Sequence, residues 1–174
     1  MIAEILPPDG VKIGEKILRL GDSKCHLEKL FGQPDFARYH DSFYFGGALR
    51  VSVFELGTVD RIAFPLGADG DPSPSLYGVD LFRAEIDGFL SLHRAEIGDM
   101  TVSEDGKVYR LPRLGLTLSR EVTPAEVEEM FRVYTGKKKF LTDADRAYEI
   151  ARASRWSYLE IAGEDRPPIK GDRG

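Results

Sequence analysis

Apolar and polar positions alternate in short runs along most of the chain, and the period switches between two and about 3.6 residues at points marked by glycine, proline and aspartate. Residues 20–35 carry both ends of a short helix. Asp22 is placed to cap the first free N–H groups, Gly32 to take the left-handed C′ position, and Pro34 to forbid continuation. Between these marks Leu27, Leu30 and Phe31 fall on one face and leave Lys24, Glu28 and Lys29 to water. So short a helix needs a surface to cover. Before it, residues 1–8 read as a loose arm or edge strand, because Pro7 and Pro8 remove two donors, and Val11 to Leu20 as a short strand. After it, strand-like runs at 36–40, 43–45, 49–54 and 58–64 have hairpin spacing. Leu49, Val51 and Val53 oppose Arg50 and Ser52, which predicts an antiparallel strand with one face on a core and one face wet.

Residues 65–75 hold three prolines and two glycines and read as a linker. Beyond it the order returns. Phe82, Ile86, Phe89, Leu90 and His93 have helical spacing, and strands follow at 100–103, 107–111 and 114–118, with Glu104, Asp105 and Gly106 as a hairpin turn. Setting Tyr44 over Tyr109 aligns Leu49, Val51 and Val53 with Leu114, Leu116 and Leu118, which suggests an internal repeat. Thr123, Pro124 and Glu126 then start a helix that stops at Gly136, and Thr142 with Asp145 starts another reaching at least Ser154. The resulting division is a first helix-plus-sheet unit at 1–67, a linker at 68–75, a second unit at 76–122, C-terminal helices packed on the sheets at 123–162, and a disordered tail at 163–174.

Composition changes this picture little. Hydrophobic residues make up 42% and charged residues 30%, as in an ordinary globular protein. No stretch approaches the ~20 apolar residues of a membrane helix, and the start lacks a signal core, so a cytoplasmic protein is expected. The net charge is −5, and it is uneven: residues 1–100 hold 10 Lys and Arg against 16 Asp and Glu. Clustered cations for phosphate are missing there, which argues against nucleic acid and favours a basic protein partner, although mild acidity also serves solubility.

Candidate chemistry is sparse. Cys25 and His26 are adjacent and point about 100° apart on a helix, so they read as a half-buried structural cysteine beside a surface histidine rather than a nucleophile and base. One cysteine allows no internal disulfide. His26, His40 and His93 lack metal-ligand spacing, and Asp69 and Asp71 lack the rest of a calcium loop. Arg132 with Lys137, Lys138 and Lys139 forms a basic helix-end cluster. No catalytic residue, metal ligand or cofactor site is assigned. Arg155 and Trp156, beside Arg152 and Tyr158, are residue types of protein interfaces. Trp156 has a second reading, packing the last helix onto the sheet, which the burial habit of tryptophan favours. Tyr44, Arg50, Ser52 and Glu55 on the wet sheet face complete the expected partner-binding set.

The pattern Gly14…Leu20-Gly-Asp…Leu30-Phe-Gly-Gln-Pro-Asp resembles small bacterial helix-plus-sheet modules of the lactamase-inhibitor-protein-like type, which also occur in tandem. Leu76-Tyr-Gly-Val-Asp-Leu-Phe and Leu114-Gly-Leu-Thr-Leu-Ser-Arg-Glu are similar to stretches in bacterial proteins of unassigned role, some thought to be immunity proteins. The resemblance covers residues 10 to 121 and carries no catalytic residue. The elements predict an α+β fold of two helix-plus-antiparallel-sheet units followed by C-terminal helices, and the acidic first unit, the wet sheet face and the lack of a catalytic constellation favour a non-enzymatic protein-binding module such as an immunity or inhibitor protein. The alternative is a small-ligand-binding protein or enzyme with its site between the two units.

Overall fold

The computed structural model describes residues 1–54, 56–136 and 142–163. The fold is α+β, with two sheets, helices between their strands, and helices near the C-terminal end. The smaller sheet is built from β1 (Ile2–Leu6), β2 (Gly10–Ile13), β3 (Lys16–Arg19), β8 (Ser73–Leu76) and β9 (Val79–Asp80), in the order β3-β2-β1-β8-β9. Residues 1–8 are therefore no arm or edge: β1 lies in the middle, antiparallel to β2 and parallel to β8. Pro7 and Pro8 fall just beyond its end, where no ladder donor is required. The register puts Ala3, Ile5, Val11, Ile13 and Leu18 on one buried face. The end of the stretch read as a linker, residues 73–75, is extended and with Leu76 forms β8. Pro74 sits opposite Ala3, a ladder position where the chain is extended and the missing N–H is tolerated.

The larger sheet has eight strands, all antiparallel. One half is β4 (Phe36–Arg38), β5 (Asp41–Tyr44), β6 (Leu49–Val53) and β7 (Val59–Phe64); the other is β10 (Thr101–Val102), β11 (Val108–Leu111), β12 (Leu116–Ser119) and β13 (Tyr158–Ala162). The order is β10-β11-β12-β13-β7-β6-β5-β4, so β13 and β7 join the halves. This last strand lies within the stretch expected to be helical. Leu159 and Ile161 turn to the same face as Phe64 and Ile62, their cross-strand partners, and are fully buried with them.

Helix α1 (Lys24–Phe31) lies beside β3 and buries Leu27. Its cap is Ser23, whose hydroxyl accepts from the His26 N–H at 3.1 Å. Asp22 instead accepts from the Arg19 N–H at 2.7 Å and closes the turn before the helix. Gly32 ends α1 with φ +81°. The helical region after β9 divides into α2 (Ile86–Leu92) and α3 (Arg94–Ile97). Side chains from both sheets, α1, α2 and α3 form one continuous core. Helix α4 (Pro124–Gly136) and α5 (Asp143–Ala153) pack against each other around Val127, Phe131 and Ala153, a separate small cluster. Both carry the expected boxes: the Thr123 hydroxyl accepts from the Glu126 N–H while Glu126 accepts from the Thr123 N–H, and Thr142 and Asp145 do the same.

Candidate binding surfaces

The expected partner-binding residues do not form one surface. Tyr44 pairs with Leu49 on the apolar side of the large sheet, is buried, and meets the Phe31 ring at 5.6 Å. Burial raises its pKa, and the Glu28 carboxylate adds to the rise. Ser52 does lie on the polar side with Arg50, but it is buried and hydrogen-bonded to Asp41. Glu55 lies outside the described residues, as do Lys137, Lys138, Lys139 and all of the expected tail except Gly163.

The polar side of the sheet is a closed ionic cluster rather than a wet face. Pairing places Ser52 beside Arg61 and Glu160 beside Ala63, so side chains of β6, β7 and β13 converge there. Glu160 lies 3.4 Å from Arg61 Nε and 3.7 Å from Arg50 Nη2. Tyr158 donates to Glu160 at 2.6 Å and accepts from Arg50 Nη2 at 2.8 Å. Burial, then the neighbouring Glu160 charge, push the Tyr158 pKa far up, which keeps the phenol protonated as that donor. Side-chain exposure is 6% for Arg61 and 5% for Glu160. Two guanidinium groups thus share one carboxylate, with Arg61 and Glu160 almost wholly withdrawn from water. Arg61 Nε and Nη1 and Arg50 Nε have no hydrogen-bond acceptor among the described residues.

Trp156 is buried as well. Its ring packs edge-on to Phe89 of α2 at 5.4 Å and to Tyr109 of β11 at 6.0 Å, so it fastens the chain after α5 to the apolar side of the second half-sheet. Its neighbour Arg155 is exposed. Both line a cleft of about 790 Å³ bounded by residues 65–69, residues 120–122 and α5. The histidines are scattered: His40 stacks on Phe54 at 4.7 Å, His93 packs against Tyr77 and Phe89, and His26 stands 3.9 Å from Asp22. No group of three metal-ligating side chains occurs among the described residues. Cys25 is exposed, not half-buried, because Leu27 takes the inward position of α1.

The outer edge of β4 was not singled out by the sequence. All three of its residues are exposed, and no described strand covers its free side. Phe36 stacks on Phe43 at 4.4 Å and remains half exposed. Past the other end, Tyr39 adopts φ +56° in the turn to β5 and is 92% exposed, with Arg38 over its ring at 5.7 Å. The Val53 N–H donates to the His40 carbonyl at 2.9 Å, which draws this turn to the end of β6. There Phe54 is partly exposed and Leu56 is 91% exposed. The available signal was Phe36, Tyr39, Phe54 and Leu56 beside turns, where apolar side chains have least core to reach.

Comparison with protein-family models, characterised proteins and solved structures finds no match. No helix among the described residues is long and apolar enough to cross a membrane.

Proposed function

We propose that this chain is a non-enzymatic protein-binding module of the cytoplasm, an immunity or inhibitor protein for a basic partner, and that it docks through the β4 edge. The observation that carries this reading is the outer edge of β4, which no described strand covers, flanked by Phe36, Tyr39, Phe54 and Leu56. A free edge offers a row of backbone donors and acceptors to an incoming strand, and natural proteins usually protect such edges. Aromatic groups beside it supply the rigid apolar area from which interface hot spots are made. The acidic balance of residues 1–100 selects the sign of the partner, raising the on-rate of a basic protein more than its final affinity.

The test is affinity capture from the native cell with the wild-type chain and with a Tyr39→Ser/Leu56→Ser double variant. Both side chains are over nine-tenths exposed, so folding stability should change by no more than about 0.5 kcal/mol. A basic protein retained by the wild type should bind the variant at least about tenfold more weakly, the size expected of a lost hot spot. Its association should slow as salt rises. If every captured protein binds both forms equally, the β4 edge is not the docking surface.

A further inference from the structure

We infer that the cleft bounded by residues 65–69, residues 120–122 and α5 binds a small anion carried on a flat apolar body, an aromatic phosphate or carboxylate. This site is separate from the β4 edge and does not depend on it. The cleft volume, about 790 Å³, is in the range that encloses a drug-sized ligand. Three arginines line it against two carboxylates, Asp69 and Glu121. Arg152 is neutralised by Glu121 at 3.1 Å and by Glu149 at 3.6 Å. Arg120 is held by neutral groups only: Nε donates to the Gly106 carbonyl at 3.0 Å, Nη1 to the Ala153 carbonyl at 3.2 Å, and the guanidinium lies over the Tyr109 ring. The Arg155 side chain has no hydrogen bond or ion pair with a described residue; only its backbone N–H is bonded, to the Arg152 carbonyl at 3.1 Å. Two guanidinium charges therefore face this region without a carboxylate of their own. Guanidinium groups recognise carboxylate and phosphate through paired donors.

The apolar part of the ligand follows from Phe82, Trp156 and Tyr148 on the same lining. Trp156 is 2% exposed, and its indole Nε1–H has no acceptor among the described residues. The indole therefore contributes ring surface to the apolar wall, and the anion is left to Arg155 and Arg120. The wall at residues 65–69 is fixed by close backbone packing. Gly67 has φ +56°, and a Cβ there would lie 3.1 Å from the Ser157 carbonyl oxygen. The site is thus preformed, which lowers the ordering cost of binding.

Trp156 is the only tryptophan, so its fluorescence reports directly on the cleft. The chain would be titrated with phenyl phosphate, benzoate, inorganic phosphate and phenol at constant ionic strength, with sodium chloride as the control. Phenyl phosphate or benzoate should give a saturable change, and Arg155→Ala should weaken it at least about fivefold, the loss of one charge-assisted contact. Tighter phenyl phosphate assigns the anion as a phosphate and tighter benzoate as a carboxylate. Arg155 is exposed and unpaired, so Arg155→Ala should leave the melting temperature unchanged. The inference is overturned if neither aromatic anion saturates below about 10 mM, a limit beyond which binding is too weak to mark a site. It is equally overturned if phenol binds as well as phenyl phosphate, or if Arg155→Ala binds like the wild type.

Discussion

Replacing Glu160 with glutamine keeps the shape of the side chain and an oxygen to accept from Tyr158, but removes the one negative charge shared by Arg50 and Arg61. At the observed separations of 3.4 and 3.7 Å, each contact is worth about 4–5 kcal/mol for an effective dielectric near 20. Stripping water from three ions costs several kcal/mol each, so the intact cluster nets close to zero. Losing only the carboxylate is different, because the cost of burying the cations stays while their compensation goes. Arg50 can relieve part of this, since 17% of its side chain reaches water; Arg61 cannot. Glu160→Gln should therefore lower the unfolding free energy by about 3 kcal/mol, toward the lower end for a broken buried pair. Adding Arg61→Met should then restore at least about half of the loss, since an apolar side chain tolerates that site without a counter-ion. Urea unfolding of the wild type, both single variants and the double variant gives the four energies, provided the slope with denaturant stays constant. A Glu160→Gln loss below about 1 kcal/mol, or a double variant no more stable than Glu160→Gln alone, would show that Arg61 does not depend on the Glu160 charge.

Gly115 sits at φ +63° where the turn between β11 and β12 meets the β1–β2 turn, and a Cβ there would lie 2.2 Å from the Pro8 carbonyl oxygen. Gly115→Ala should cost more than about 3 kcal/mol by thermal unfolding, whereas Gly14→Ala, at φ +60° in open space, should cost only the conformational 1–2 kcal/mol; equal losses would show that the two turns do not touch. Acid should weaken α4 and α5, because the Lys107 ammonium and then the Thr123 N–H hold the Glu126 carboxyl below its usual range, and Thr142 does the same for Asp145. Both folded-state values are depressed, so the unfolded chain binds more protons and stability is lost as pH falls from about 5 to 3. Glu126→Gln should make the melting temperature fall less steeply over that window, and an unchanged slope would count against this link.

The helix boundaries at Gly32, Thr123 and Thr142 were legible because every partner of a cap lies within a few residues. At the first helix the cap is Ser23 rather than Asp22, one residue away, and both are residue types suited to that position. Strand runs were legible for a similar reason, but strand partners were not. Ala3 finds Pro74, and Glu160 finds Ala63, across distances in sequence that no short pattern spans. Residues 158–162 alternate Tyr, Leu, Glu, Ile, Ala, a strand signal, but the run follows directly on a helix and its ladder partners in β7 and β12 lie far away in sequence. Alternation also sorted Leu49, Val51, Arg50 and Ser52 correctly between two faces. A period of two encodes side, not exposure, and the polar side proved to be buried. The Tyr44–Tyr109 alignment shows the same ambiguity. Leu49 pairs with Tyr44 across one short 3₁₀ turn and Leu116 with Leu111 across the other, so the pairing register equates Tyr44 with Leu111.

The order of the large sheet explains why the cleft lies where it does. Read from either edge, three antiparallel strands with a 3₁₀ turn between the second and third lead to an inner strand, β7 on one side and β13 on the other. β7 follows β6 through a tight turn, whereas between β12 and β13 the chain first builds α4 and α5. Because β12, β13 and β7 are successively antiparallel, Ser119 at the end of β12, Tyr158 at the start of β13 and Phe64 at the end of β7 come to the same end of the sheet. The chain leaving β7, the chain leaving β12 and the chain returning from α5 must all pass there, and they supply the cleft wall of residues 65–69, 120–122 and 151–157. Arg120 ties two of these passages together through the Ala153 carbonyl, and Gly67 packs the third against Ser157. A rigid sheet thus holds connecting segments at fixed spacing, the usual way in which loops are made specific without strands changing. Substitutions in the outward-facing residues of this wall, Arg155 above all, can alter what the cleft binds while leaving the ladder of β12, β13 and β7 untouched.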